Sequence, residues 1–173
     1  MVEVALIVSV LGVALAVAIP TFLRAVRTSK VAEVTSELQR LHASAAAYYA
    51  RPQTVGDGKR MRCLPLAAGP APALPSKEPV SVLMAAPETP GAATWAALGY
   101  EPEGPVRYRY SFLPVAAGCA LPLPRSSTTP LLTLRAEGDL DGDGTLSRFE
   151  RHAHDIDGEL VLDPLLVMRD RIE

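Results

Sequence analysis

The chain has 173 residues, a formal net charge of -2 and an aromatic content of only 5%. This length favours one domain with an anchor segment and disfavours a second large domain. The near balance of 17 basic and 19 acidic residues provides no global field for a polyanion, so no nucleic-acid partner is expected.

The first segment, residues 1–23, is a candidate for a membrane-spanning helix or the core of a filament. Residues 4–19 carry no charge, and with their apolar flanks they reach about 20 residues, the length that spans a bilayer. No basic residue precedes the run, so a cleaved secretion signal is the weaker alternative. The segment is therefore interpreted as an anchor.

Three residues mark this apolar helix. Glu3 places a carboxylate at its start, where it either needs a partner in an apolar environment or lies at the membrane surface, favoured by the helix dipole. Gly12 lowers helix propensity, and Pro20 removes a backbone hydrogen bond. We expect Gly12 and Pro20 to soften the helix between them.

The second segment, residues 24–50, continues as an amphipathic helix. Pro52 and the turn signal at residues 56–58 end it near Ala50. Apolar residues at spacings of three and four predict one buried stripe. Its members are Val31, Val34, Leu38, Leu41, Ala45 and Tyr48.

The first 50 residues closely resemble the N-terminal region of type IV pilins and type II secretion pseudopilins. The resemblance rests on Glu3, Gly12, Pro20, Phe22, Ser29, Ala32, Glu33 and Tyr49. In that family a basic leader and usually Phe-Thr-Leu precede the residue matching Val2, so Met1 falls inside the mature sequence that the resemblance implies. By resemblance, Glu3 pairs with the N-terminal amine of a neighbouring subunit during assembly.

The resemblance also implies partners and a location. The partners are other pilin subunits, the inner-membrane assembly machinery, and membrane lipid before assembly. The protein would reside in the inner membrane and then in an extracellular pilus or a periplasmic pseudopilus, with its head outside the cytoplasm. The leading hypothesis is a major or minor pilus subunit. The alternatives are a secretion pseudopilin and a monomeric, membrane-anchored calcium-binding protein.

Residues 51–173 are expected to form the extracytoplasmic head. The expected fold class is α+β and type IV pilin-like, with the long N-terminal helix packed against a small antiparallel sheet. The run from residue 64 to 75 is interpreted as a loop. A helix ended by Gly99 is predicted over 93–100. Strands are predicted over 106–113, where Tyr108, Tyr110 and Phe112 share a face expected to pack into the core, and over 130–136. Short pieces are predicted at 158–161 and 165–168.

Two cysteines, Cys63 and Cys119, lie far apart and lack the spacing of a zinc site. A single disulfide is the leading interpretation, and two unpaired thiols are the alternative in a reducing compartment. No nucleophile, phosphate-binding or metalloprotease motif occurs, so the chain is not expected to be an enzyme.

The sharpest chemical motif spans residues 139–150, DLDGDGTLSRFE, which fits an EF-hand calcium loop. Calcium prefers six to eight oxygen ligands on a curled backbone, and Gly144 stands where the loop turns sharply. The predicted ligands are Asp139, Asp141, Asp143, Thr145, Ser147 and Glu150. A solvated Asp-Gly hairpin turn is the alternative. Because the flanks do not resemble paired EF-hand helices, a structural Ca2+ is expected, and pseudopilin heads use calcium in this way.

Overall fold

The structure is a computed structural model of the chain. It describes residues 2–54, 58–116, 118, 129–140 and 142–169, without the side chains of residues 2–7 and 20–30. The chain divides into two compact units, Met1–Glu33 and Val34–Glu173. The head unit therefore begins inside the first helix.

Helix α1 spans Val2–Tyr49. In its first part, the side chains of residues 8–19 are all exposed. In its second part, the predicted stripe is largely confirmed, because Val34, Leu38, Leu41 and Ala45 are fully buried. Tyr48 is only half-buried, and Tyr49 is buried in its place.

The head contains a six-stranded antiparallel sheet and a separate two-stranded sheet. The small sheet pairs β1 (Gln53–Thr54) with β2 (Arg60–Met61). In the large sheet the order is β3-β4-β5-β6-β7, and β8 also pairs with β6. These strands are β3 (Ala68–Ala71), β4 (Arg109–Pro114), β5 (Leu132–Gly138), β6 (Ser147–Ile156), β7 (Glu159–Leu162) and β8 (Val167–Arg169).

One face of the large sheet carries the core. Alternation along β4, β5 and β6 turns the apolar side chains to this face. Tyr110, Phe112, Leu134, Ala136 and Phe149 are at most 2% exposed. The second part of α1 contacts the same sheet through polar groups, since Arg151 of β6 donates to Gln39 and the hydroxyl of Tyr49 donates to Asp155.

The predicted fold class is wrong. A type IV pilin-like fold requires one long N-terminal helix packed against a small sheet. Here α1 is divided between two units at Glu33 and Val34, and in the first of them the side chains of residues 8–19 are all exposed. Only residues 34–49 belong with the sheet, which has six strands. The physical reason is that the side chains of residues 8–19 are all exposed, whereas the buried residues described in α1 begin at Val34.

The elements predicted within the head are partly confirmed. The helix predicted over 93–100 is confirmed as α2, Ala92–Leu98, and Gly99 ends it with a left-handed φ of 62°. The strand predicted over 106–113 begins later, since Val106 forms only an isolated bridge with Val80. The run interpreted as a loop over 64–75 contains β3.

Candidate functional site

The predicted calcium loop connects β5 to β6. Asp139 follows the last residue of β5, and Ser147 begins β6. Gly142 and Gly144 have left-handed φ values of 83° and 88°. Side chains other than glycine rarely adopt this conformation, so the two glycines let the backbone curl between the strands.

The carboxylates of the loop turn toward its own backbone. Asp139 accepts hydrogen bonds from the N–H of Gly142 to Oδ1 at 2.8 Å and from the N–H of Gly144 to Oδ2 at 3.1 Å. Asp143 accepts one from the N–H of Thr145 to Oδ1 at 2.6 Å. A carboxylate oxygen has two lone pairs, so each Asp139 oxygen that accepts one of these bonds has a second lone pair with which it could bind a metal ion. Asp141 lies outside the described residues.

The structure does not bring Ser147 and Glu150 to this group. The hydroxyl of Ser147 is buried and donates to the carbonyl of Gly138 at 3.0 Å, which closes the base of the hairpin. Glu150 lies within β6, directly opposite Arg135, and its Oε1 accepts from Arg135 Nε at 2.7 Å. Glu150 stands at the twelfth position, whose carboxylate closes a standard calcium loop, and here that carboxylate is paired with Arg135.

The donor chemistry of the loop fits calcium over its first seven positions. In the part of the chain that the structure describes, which omits Asp141, no three His, Cys, Asp or Glu side chains are grouped to hold a metal ion. Asp139, Asp143 and the carbonyl of Thr145, together with Asp141, are the groups that would hold the ion. All of these are oxygen donors, which suit calcium rather than a soft transition metal.

A charged cluster beside the loop was not predicted from the sequence. Glu137 is 5% exposed, and its carboxylate accepts from Arg109 Nε at 3.0 Å and from Arg148 Nε at 2.9 Å. Burial alone would raise the pKa of Glu137, but these two arginines outweigh it, and the pKa is lowered. The signal for this cluster in the sequence was the alternation of charged residues with other residues in the three strands. Only the strand register shows that the three side chains meet.

The residues predicted for assembly lie in the first unit. The side chains of Glu3 and Pro20 fall outside those described. Helix α1 continues through Gly12 and Pro20, and a Cβ built on Gly12 meets nothing within 4 Å. The position of Gly12 is therefore open to a neighbouring surface.

Cys63 is buried and disulfide-bonded. Cys119, the other cysteine of the sequence, lies outside the described residues. No helix in the described part of the chain combines the length and the apolar composition that crossing a bilayer requires.

Comparisons with known proteins identified no relative of this chain. No protein-family model matches the chain. No curated protein and no solved structure matches it either.

Proposed function

We propose that this chain is a structural subunit, major or minor, of a type IV pilus filament, assembled through its apolar N-terminal helix and carrying a calcium-stabilised head. One observation carries the proposal: every described side chain from residue 8 to 19 is exposed, although nearly all are apolar. The large ones are between 50% and 66% exposed and are Val8, Val10, Leu11, Val13, Leu15, Val17 and Ile19.

Such a helix is unfavourable as a free element in water. Burying one large aliphatic side chain contributes about 1.5–3 kcal/mol, and this run presents such side chains all around its axis. Neighbouring helices in a filament would surround it on every side, as lipid would before assembly. The first 50 residues resemble type IV pilins, and this resemblance favours a helix that lies in lipid before assembly and among neighbouring helices in the filament.

The proposed partners follow from that role. They are other pilin subunits, the inner-membrane assembly machinery, and membrane lipid before assembly. The proposed location is the inner membrane and then the extracellular filament, with the head outside the cytoplasm. A secretion pseudopilin would use the same helix in a periplasmic pseudopilus. Neither catalysis nor nucleic-acid binding is part of the proposal.

Calcium has a structural part in this proposal. The loop at residues 139–145 closes the hairpin between β5 and β6, the two central strands of the sheet. An ion held by Asp139, Asp141, Asp143 and the carbonyl of Thr145 would neutralise three neighbouring carboxylates and fasten the hairpin. The same loop favours the second candidate, a monomeric anchored calcium-binding protein.

Replacing Glu3 by Ala separates the two candidates. We expect Glu3→Ala to abolish recovery of the protein in sheared surface filaments while membrane fractions retain it, because the carboxylate is proposed to pair with the amine of a neighbouring subunit. Glu78→Ala, which changes an exposed glutamate of the head, is the matched control and leaves filament recovery unchanged.

Quantitative mass spectrometry of sheared filaments and inner membranes gives the readout. Normal incorporation of the Glu3→Ala protein contradicts assembly through this carboxylate. Recovery of the unmodified protein from membranes alone, never from filaments, overturns the pilus proposal and favours the anchored monomer. Recovery in periplasmic secretion complexes identifies a pseudopilin.

A further inference from the structure

The outer edge of β8 is open in the described part of the chain. Strand β6 pairs with β5 along one side and with β7 and β8 along the other. No described strand pairs with the far side of β8. Such an edge presents backbone N–H and C=O groups to which an extended segment can add as a further strand.

A row of charges crosses the sheet and ends at this edge. Arg109, Glu137, Arg148 and Arg169 are successive partners in register, so their side chains share one face. Both oxygens of Glu137 are used by Arg109 and Arg148. Arg148 and Arg169 therefore oppose each other as like charges, which is unfavourable between neighbouring strands.

Arg169 is the outermost member of the row. Its residue is exposed, and no acidic side chain among the described residues forms an ion pair with it. The next position in the row would belong to a strand added outside β8. A carboxylate there would lie directly opposite Arg169, at the distance where opposite charges on neighbouring strands attract.

The other face of the same edge is apolar. Met168 is paired with Phe149 of the core face, yet it is 42% exposed. Leu165, just before β8, is 69% exposed. Because side chains alternate along a strand, an added strand would place its acidic residues beside Arg169 and its apolar residues beside Met168.

We propose that β8, Val167–Arg169, is a docking edge for an extended segment of a partner protein in which acidic and apolar residues alternate. Charge complementarity with Arg169 and contact with Met168 select this pattern, and main-chain hydrogen bonds supply affinity. A nucleic acid fits the edge poorly, since none of the described register partners in this row is aromatic and the whole chain is weakly acidic. The proposal does not depend on the pilus role.

The test uses the full chain in detergent micelles and labelled ten-residue peptides. One peptide alternates glutamate and valine, a second alternates lysine and valine, and a third has five glutamates followed by five valines. Fluorescence anisotropy measures their affinities. We expect the alternating glutamate peptide to bind, and hydrogen exchange to slow at the amides of residues 167–169.

Charge reversal at the edge is the decisive variant. Arg169→Glu should weaken binding of the alternating glutamate peptide at least tenfold and reverse the preference toward the lysine peptide. Arg60→Glu, at an exposed arginine of the separate small sheet, is the matched control and leaves both affinities unchanged.

Four results with the peptides would overturn the proposal. These are no binding to the unmodified chain, equal binding of the block peptide, an unchanged affinity after Arg169→Glu, and displacement of the peptide by inorganic phosphate at equal concentration. Equal binding of the third peptide, or displacement by phosphate, would identify a general anion site. Peptide-independent pairing of two chains through the same amides would instead assign the edge to a second copy.

Discussion

The phenol of Tyr100 donates a hydrogen bond of 3.0 Å to Oε2 of Glu37, and this buried contact joins the second part of α1 to the segment after α2. The other oxygen of Glu37 accepts from the backbone N–H of Glu103 at 3.4 Å. Burial first, and then the negative charge of Glu37, raise the pKa of Tyr100 well above its ordinary value. Tyr100 therefore stays protonated and remains a donor.

Replacing Tyr100 by Phe should destabilise the head by about 1–3 kcal/mol, because it deprives a carboxylate that is 6% exposed of a donor. Urea denaturation of the full chain in detergent measures the change. Tyr48→Phe is the control, since Tyr48 is half-buried and its hydroxyl has no such role in the described structure. Equal stability of the two variants contradicts the importance of the Glu37 contact.

Gly138 lies at the end of β5 beneath the ring of Tyr108. A Cβ built on Gly138 comes within 2.6 Å of the ring atoms Cδ1 and Cε1. We expect Gly138→Ala to cost about 1–3 kcal/mol, because the buried ring must shift within a close-packed core. Gly104→Ala is the matched control, since a Cβ there meets nothing within 4 Å. Thermal denaturation compares the two, and an equal midpoint would show that the ring shifts without cost.

His42 of α1 makes the stability of the head depend on pH. Its Nε2 lies 2.9 Å from the carbonyl oxygen of Leu160 in β7, so the neutral ring donates from Nε2. Burial is the main cause of a lowered pKa of His42; the Leu160 contact opposes it, and the charge of Arg151 adds to the lowering. The folded state therefore binds this proton less readily than the unfolded state.

The sign follows from that difference. The contribution of His42 is fully present above the unfolded pKa of 6.5 and is lost as pH falls below it, toward the lower folded pKa. His42→Gln retains a donor without a titrating ring. Unfolding free energies of both proteins between pH 5 and 8 should show a steeper fall for the unmodified chain, and parallel curves would contradict the prediction.

Calcium should raise the thermal stability of the full chain. A ligand at 100 times its Kd stabilises the state that binds it by about 2.7 kcal/mol, so chelation with EGTA should lower Tm. Asp143→Asn should remove most of this response, whereas Asp157→Asn, in the turn between β6 and β7, should retain it. Identical melting curves with calcium and with EGTA would remove the ion from this account.

Local signals predicted much of the head. Spacings of three and four found the buried stripe from Val34 to Ala45, and the glycine at 99 marked the end of α2. Alternation predicted correctly that Tyr108, Tyr110 and Phe112 share a buried face. These features depend on periodicity and backbone conformation, which neighbouring residues set among themselves.

Contacts between distant residues could not be read in the same way. The EF-hand pattern assigned Glu150 to calcium, but strand register places it against Arg135. The stripe predicted from spacing ends at Tyr48, but Tyr49 is the buried residue, and its hydroxyl donates to Asp155, which is 106 positions away. The expected pilin-like packing of α1 was also wrong, because the head unit includes this helix only from Val34 onward.

The sequence by itself determined where helices, turns and alternating strands form, because helix and strand periods, glycine conformations and apolar spacing act over a few residues. Only the tertiary structure decided which charges meet, such as Glu137 with Arg109 and Arg148, and that no described strand lies outside β8 at Arg169. Strand order and register set these contacts, and they depend on the packing of the whole head.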